Sequence, residues 1–281
     1  MGSSRDGRRH GRRVHRRRST LTVAGRGSRP AIGLAIDLGS SGTRAWVLGQ
    51  GPVPCGSADW EEGAVRPVRR GRIVDVESCA GLLNRVVDRA LGDHLQDGVI
   101  VLSHPVLAGR EHRSSATGLL AALGPSGVLV LNSARAAAAC AGEPDNGPVL
   151  VVDMGAELTE VALLVDGAVV DARQAERGLS DFDARSLSSG VVGHVLGMIA
   201  SMWRDDRHGA VRGALRRGPV LTGGGALRSD LTGRIAGSLG VPVRVDPDPA
   251  TAVVRGAALI LGSALGSPDA SLVSAVPVRP R

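Results

Sequence analysis

The chain has 281 residues, 43% of them hydrophobic, which is enough for one large domain or two smaller ones with a sizeable core. Its 34 basic residues are all arginine, so a P-loop, which needs a lysine, is excluded. The net charge of +7 is unevenly spread: residues 1–30 hold ten arginines and one aspartate, whereas the remainder has 24 arginines against 26 acids. The body is therefore nearly neutral, and the basic charge lies in one N-terminal segment.

This N-terminal segment, which contains the run RRHGRRVHRRR, has few apolar residues, so we expect residues 1–30 to be disordered. Two interpretations stay open: a solvated extension without a function, or electrostatic contact with anionic lipid or nucleic acid, without sequence specificity. An export signal is not expected, because Arg26 and Arg29 interrupt the apolar stretch that would follow the arginines. No window reaches the length of a membrane span, and the three cysteines lack metal or disulfide spacing. We therefore expect a reduced, cytoplasmic protein.

From about residue 31, short apolar strands alternate with helices, which predicts an α/β protein with mixed sheets covered by helices. In chain order the predicted elements are a strand at 31–38, a returning strand at 43–48, a helix at 77–92, a strand at 97–104, a helix at 110–123, a strand at 127–133, a helix at 134–142, three successive strands within 148–170, helices at 183–204 and 208–217, a strand at 218–222, a helix at 227–239, a strand at 241–245 and a helix at 249–264.

One unit occurs twice. IDLGSSGTRAWVLGQG (36–51) and VDMGAELTEVALLVDG (152–167) superpose without gaps, which aligns Asp37 with Asp153, and both are a strand, a tight turn and a strand. Two copies predict two similar lobes. We expect lobe I at 31–148 and lobe II at 149–264, with the last helix returning to lobe I, and a disordered tail at 265–281.

Each tight turn directs backbone N–H groups into one concavity, which suits the phosphates of a nucleotide. An aspartate at the strand end would repel phosphate, but it can hold Mg²⁺ through water, so Asp37 and Asp153 are the candidate metal residues. A third element, VLTGGGALRSDL (220–231), is a strand followed by glycines that open a helix. The candidate nucleotide-binding residues are Asp37, Gly39, Ser40, Ser41, Gly42, Thr43, Asp153, Gly155, Ala156, Glu157, Leu158, Thr159, Gly223, Gly224, Gly225 and Ala226.

These motifs, together with VDPDPATAVVRGAA (245–258), resemble the phosphate-1, phosphate-2, adenosine and connecting motifs of the actin-like ATPase superfamily, and they are most similar to the bacterial actin MreB. The resemblance covers about residues 31–264. It implies the actin-like (ribonuclease H-like) fold, in which two inner lobes, each a mixed sheet flanked by helices, close on ATP and Mg²⁺. It also implies filament formation beneath the membrane and a role in rod shape through cell-wall synthesis.

The chain departs from this family in length. Between Gly51 and Val65 there is room only for a short loop, where MreB inserts outer subdomain IB. The 34 residues between Asp183 and Gly218 replace the far longer stretch that carries outer subdomain IIB. The resemblance therefore implies a shortened form that lacks both outer subdomains.

The chain also departs at the reaction site. MreB has a glutamate before a proline that orients the attacking water, whereas this chain has Ser133 there, with Asn132 beside it. Serine is a poor base, so we expect weak or absent hydrolysis. In the second turn Glu157 brings a carboxylate towards the phosphates and Leu158 removes a hydroxyl, so we expect weaker ATP binding unless Mg²⁺ or an arginine compensates.

Three functions remain open: an MreB-like structural or regulatory protein with weak or no hydrolysis, a nucleotide-free pseudo-actin that acts as an interaction module, and an active ATPase or kinase of the same superfamily. The partners implied by the resemblance are a second copy, an MreB-family actin and the cell-wall synthesis machinery. The arginine segment adds contact with anionic membrane at the inner face, and we expect no specific nucleic acid.

Overall fold

The computed structural model describes residues 32–55, 66–142, 147–206 and 209–266. The N-terminal arginine segment and most of the predicted C-terminal tail lie outside these ranges. No helix in the described part of the chain is long and apolar enough to cross a membrane.

The described residues form two five-stranded sheets, a two-stranded hairpin and seven α-helices. The strands are β1 Ile32–Leu38, β2 Thr43–Val47, β3 Gly51–Val53, β4 Val68–Arg69, β5 Arg72–Ile73, β6 Gly98–His104, β7 Gly127–Asn132, β8 Pro148–Met154, β9 Thr159–Val165, β10 Ala168–Ala175, β11 Val220–Thr222 and β12 Arg244–Val245. The helices are α1 Val76–Leu91, α2 Arg110–Ala121, α3 Ser133–Cys140, α4 Leu187–Asp205, α5 Ala210–Arg217, α6 Ser229–Leu239 and α7 Ala252–Leu265.

The two sheets repeat one topology. The first has the order β3-β2-β1-β6-β7 and the second the order β10-β9-β8-β11-β12. In each sheet the central strand pairs antiparallel with the strand that follows it and parallel with a strand reached through helices. The internal repeat noticed in the sequence is thus a repeat of strand pairs at the centre of each sheet.

Both faces of each sheet are covered, because alternate residues of the central strands point into different cores. In β1, Leu34 and Ile36 pack towards α1 and α2, whereas Ala35 faces a central core that contains α3 and α7. In β8, Val149 and Val151 face the same central core, and the next residues along the strand pack towards α4. The order of layers is therefore helices, first sheet, α3 with α7, second sheet, helices.

The central layer is thin because its residues are small. The buried side chains of α3 are a serine and alanines, and α7 contributes Ala252, Ala257, Ala258 and Gly256 to the contact. A Cβ built on Gly256 would lie 1.8 Å from the Ala136 carbonyl oxygen, so only glycine permits this approach of the two helices. α7 also packs on β1, β2 and β6, so the last helix of the described residues contacts the first sheet.

Two elements differ from the sequence-based expectation. The glycines after β11 do not open a helix directly: Gly224–Leu227 form a 3₁₀ turn, and α6 begins at Ser229. The hairpin β4–β5 was not predicted, because its strands have only two residues each and carry three arginines in the turn region. Its turn uses Arg70 and Gly71 with positive φ angles of 48° and 72°.

We predict that Gly256→Ala destabilises the protein by about 1–3 kcal/mol or more, because the added methyl group meets backbone that cannot move aside. Urea unfolding followed by circular dichroism measures this difference. Gly237→Ala is the matched control, since no atom lies within 4 Å of its added Cβ and alanine favours a helix more than glycine does. Equal stability of the two variants would contradict the proposed close contact between α3 and α7.

Candidate functional site

A cleft opens between the two sheets, where the strand–turn–strand units of both lobes face each other. In the first unit the Gly39 N–H donates to the Gly42 carbonyl at 3.2 Å, and in the second the Gly155 N–H donates to the Leu158 carbonyl at 2.9 Å. The two turns therefore have the same closing hydrogen bond. The residues that line the cleft are Asp37, Leu38, Gly39, Ser40, Ser41, Arg44, Gly71, Ser103, His104, Pro105, Ser133, Asp153, Gly155, Ala156, Leu158, Glu160, Leu179, Gly223, Gly224, Ala250 and Val253.

The predicted site residues divide into those that line the cleft and those that support it. Ten of the predicted nucleotide-binding residues line it, and so does Ser133. Six nucleotide-binding candidates lie behind this surface: Gly42, Thr43, Glu157, Thr159, Gly225 and Ala226. Asn132 also does not line this cleft. Its side chain accepts a hydrogen bond from the Arg135 N–H at 2.8 Å and caps the N-terminus of α3.

The glycine loop packs directly against the second turn. A Cβ built on Gly223 would lie 2.4 Å from Asp153 Oδ1 and 2.7 Å from the Met154 carbonyl oxygen. The second turn is held from behind as well, because the Leu179 and Ser180 N–H groups donate to the Gly155 and Ala156 carbonyls at 3.0 and 2.8 Å. The backbone of the second turn is thus fixed where it faces the cleft.

Two aspartates and one glutamate, Asp37, Asp153 and Glu160, line this cleft. Ser103 Oγ donates to Asp37 Oδ1 at 2.7 Å. Burial, with a smaller contribution from Asp37, raises the pKa of Asp153 to about 7, while Arg44 opposes this shift. Burial and the charge of Asp153 likewise raise the pKa of Glu160 to about 8. Because charged carboxylates are costly in this environment, a bound cation at Asp37 and Asp153 would relieve that cost.

The donor set fits a magnesium nucleotide. Asp37 and Asp153 supply the carboxylates that a hard cation prefers, and the two turns supply backbone N–H groups for phosphate oxygens. The hydroxyl of Thr43, at the end of the first turn, is buried and has no hydrogen-bond partner. Among the described residues, no group of three or more histidine, cysteine, aspartate or glutamate side chains is arranged to hold a metal ion by itself.

Glu160 was not predicted, although the repeat contained a signal for it. The gap-free superposition aligns Arg44 with Glu160, and each is the cross-strand partner of the aspartate in its own unit. Both line the cleft. A position that carries opposite charges in two otherwise matching units could have been singled out from the sequence.

The hairpin β4–β5 closes one side of the cleft by ion pairs with lobe II. Glu157, only 5% exposed, accepts a hydrogen bond from Arg69 Nε at 3.0 Å and another from the Arg70 N–H at 3.1 Å. Arg70 also pairs with Asp181 at 2.7 Å. The carboxylate of Glu157 is thus bound to arginine and does not line the cleft, so its expected repulsion of phosphate is compensated in the way the sequence analysis left open.

We predict that Arg69→Ala destabilises the protein by about 1–2 kcal/mol, because it leaves the buried Glu157 carboxylate with only the more distant guanidinium of Arg66, at 4.0 Å, as a charged partner. Adding Glu157→Gln should recover part of this loss, since the amide oxygen still accepts from the Arg70 N–H without a buried charge. Urea unfolding of both single variants and the double variant gives the coupling free energy. Arg72→Ala, which removes an exposed pair with Glu176, is the control and should change stability by less than about 0.5 kcal/mol. Absence of rescue in the double variant would contradict the pairing.

Comparison with known proteins identifies the fold. The sequence profile of the family described as MreB/Mbl protein matches residues 55–188. The structure of MreB5 of Spiroplasma citri bound to AMPPNP aligns with a TM-score of 0.74 and 16% identity, over 85% of this chain and 98% of that chain. The ADP-bound form of MreB5 gives 0.73 and 16%, over 83% and 97%. The MamK double helical filament gives 0.67 and 14%, over 82% and 98%. No curated protein sequence matches the chain at a significant level.

The fold is therefore the actin-like one, as predicted, and the predicted resemblance of this shortened chain to MreB is confirmed by the profile match over residues 55–188.

Proposed function

We propose that this chain, MreB-like in sequence and actin-like in fold, binds Mg-ATP in the cleft between its lobes and hydrolyses it slowly or not at all. One observation carries the proposal: two turns with the same closing hydrogen bond face each other across a cleft that Asp37 and Asp153 both line. The nucleotide-bound structures of MreB5 support a nucleotide as the ligand. Ser133, in place of the family's glutamate, supports slow hydrolysis.

The affinity for ATP depends on two opposing features of the second turn. Leu158 offers no hydroxyl donor where the family has one, which weakens binding. Glu157, in contrast, is neutralised by Arg69, so its carboxylate costs less affinity than its position in the sequence suggests. We therefore propose moderate weakening of nucleotide binding, with the loss arising at Leu158.

The proposed cellular role is that of a structural or regulatory partner of an actin-like filament in cell-wall morphogenesis. The match to MreB/Mbl proteins and the similarity to a MamK filament support an assembly with a second copy or with an MreB-family actin. The arginine-rich N-terminal segment would supply contact with anionic lipid and a peripheral position at the inner face of the membrane.

A nucleotide-free interaction module is the second candidate, and the contacts across the cleft favour it. Arg69 with Glu157, and the Val106 N–H with Glu160, join the lobes through direct protein contacts. Such a protein would keep its lobes together whether or not ATP is added. An active ATPase or kinase is the third candidate, and it differs from the first by its rate of phosphate release.

We predict that millimolar Mg-ATP raises the melting temperature of the full chain, since a ligand that binds only the native state at about 100 times its Kd adds about 2.7 kcal/mol. Asp37→Ala together with Asp153→Ala should abolish this shift and the heat signal in calorimetric titration. Asp88→Ala, on the exposed side of α1, is the control and should retain both. A shift that survives the double substitution would place the ligand elsewhere, and no shift in the unsubstituted chain would favour the interaction module.

We predict that Ser133→Glu raises phosphate release from bound Mg-ATP by about tenfold or more, because a carboxylate then reaches the position that orients water. Ser133→Gln introduces a side chain of the same size as glutamate but without its charge, so this variant should give no such gain. Single-turnover phosphate release, at ATP concentrations that saturate each variant, measures the difference. Equal rates in the glutamate and glutamine variants would show that other changes also limit hydrolysis.

A further inference from the structure

A groove with aliphatic walls lies in lobe II, outside the cleft. It is formed where β9 ends, β10 begins and α4 is followed by α5, and its volume of about 830 Å³ is within the range of ligand pockets. Its wall includes Leu163, Met202 and Val211. Val170 also lines it and is 57% exposed. We call this feature the lobe II groove, and its aliphatic surface favours a partner with apolar side chains.

The charge of the lobe II groove is negative. Among the described residues that line it, three aspartates stand against one arginine. Two of these aspartates share the single guanidinium of Arg173, which pairs with Asp171 and also with Asp205 at 2.8 Å. The side chain of Asp205 is 63% exposed, so negative charge that Arg173 does not neutralise faces solvent. The groove therefore fits a partner that combines aliphatic side chains with positive charge.

The chain itself contains a segment of this composition, residues 272–281, with the sequence LVSAVPVRPR. Four aliphatic side chains are followed directly by two arginines, and no acidic residue interrupts them: Leu272, Val273, Val276, Val278, Arg279 and Arg281. The arginine-rich N-terminal segment fits less well. It is more basic, but its 30 positions hold only three leucine, isoleucine or valine residues, whereas the ten positions of 272–281 hold four.

Helix α7 leads this segment to the end of the molecule that faces away from the cleft. Val253, near the start of α7, lines the cleft. Leu261, two turns further along, lies beside the start of β1, because a Cβ built on Gly33 would be 3.0 Å from Leu261 Cδ2. α7 therefore runs away from the cleft along the first sheet, and the residues after it begin at the far end.

The lobe II groove lies at this same far end. Pro148, the first residue of β8, lines the groove, whereas Asp153, near the end of β8, lines the cleft. Ten residue steps separate Gly266 from Val276, and an extended chain of that length spans roughly 33 Å. This exceeds the thickness of one helical layer and one sheet, on the order of 20 Å. The segment can thus reach the groove of its own chain.

We propose that residues 272–281 bind in the lobe II groove of the same chain, with the valines against its aliphatic wall and the arginines beside Asp205. Because the segment follows α7 within a few residues, its effective concentration at the groove is in the millimolar range, so a weak contact is enough for docking. α7 packs on the first sheet and the groove belongs to the second. The docked segment connects the two lobes at the end opposite the cleft, independently of any nucleotide.

The test follows amide hydrogen exchange of the full chain by mass spectrometry. Docking should slow exchange in peptides that cover residues 272–281 and in those that cover β10. Arg279→Glu together with Arg281→Glu should speed exchange in both places by about tenfold or more, because the acidic side chains are repelled by Asp205. These substitutions lie after α7, outside the two sheets, so circular dichroism should show an unchanged fold.

Two variants of the groove complete the test. Asp205→Arg alone should also remove the protection, and its combination with Arg279→Glu and Arg281→Glu should restore it, since the charges are then exchanged. Val170→Arg should remove the protection by placing a cation at the groove. Val130→Arg is the matched control, because Val130 is likewise an exposed valine of an edge strand but does not line the groove, and it should leave the protection unchanged.

Several results would overturn docking within one chain. Exchange of residues 272–281 as fast in the unsubstituted chain as in the arginine variant would show that the segment does not bind. Protection that increases with protein concentration would assign the groove to the segment of a second copy. Protection that disappears when residues 1–30 are removed would assign it to the N-terminal segment. Protection that appears only with vesicles of anionic lipid would show that the segment binds lipid instead.

Discussion

The close contact between α3 and α7 is the constraint on which the cleft depends. These two helices form the only layer between the sheets in the described part of the chain, so their separation sets how near the two turns come. Gly256 against the Ala136 carbonyl, with alanines around them, makes that layer thin. Larger side chains in this layer would move the sheets apart, and the turns could not then contact one ligand together. The alanine-rich composition of the chain is thus directly connected to the geometry of its site.

The small separation of the two sheets also concentrates acidic side chains in the cleft. Asp37, Asp153 and Glu160 line one cleft, and burial makes each unit of negative charge there expensive. Arg44 offsets part of the cost of this negative charge. The raised pKa values of Asp153 and Glu160 show that Arg44 does not offset the whole cost. Proteins retain such unfavourable charge mostly at functional sites. The cost is lowest when a cation is bound, which is the electrostatic reason for expecting magnesium with the nucleotide.

The sequence predicted the features that repeat and missed those that do not. The repeated strand–turn–strand unit appears twice with matching aspartates, so the two lobes and their facing turns followed from pattern alone. The hairpin β4–β5 could not be predicted in this way, because two-residue strands have no detectable period and their stability comes from ion pairs with residues about 90 to 110 positions away. For the same reason the sequence left open whether an arginine compensates the charge of Glu157, and it could not identify Arg69 as that arginine. The 3₁₀ turn after Gly223 was missed because glycines permit many backbone conformations, and packing against Met154 selects among them.

The contacts between the lobes have a further consequence for this short form. The hairpin β4–β5 is one part of lobe I that reaches across the cleft to the second turn. Arg69 and Arg70 there contact Glu157 of the second turn and Asp181, while Glu160, at the start of β9 after this turn, contacts Val106 and Ser133. One turn of lobe II is thus bound to lobe I on two sides, at the phosphate end of the cleft. Lobe opening has to break the ion pair of Arg69 with Glu157 and the hydrogen bond from the Val106 N–H to Glu160 together. Residues of the second turn that would contact phosphate and residues that would hold the lobes closed therefore belong to one segment, 155–160.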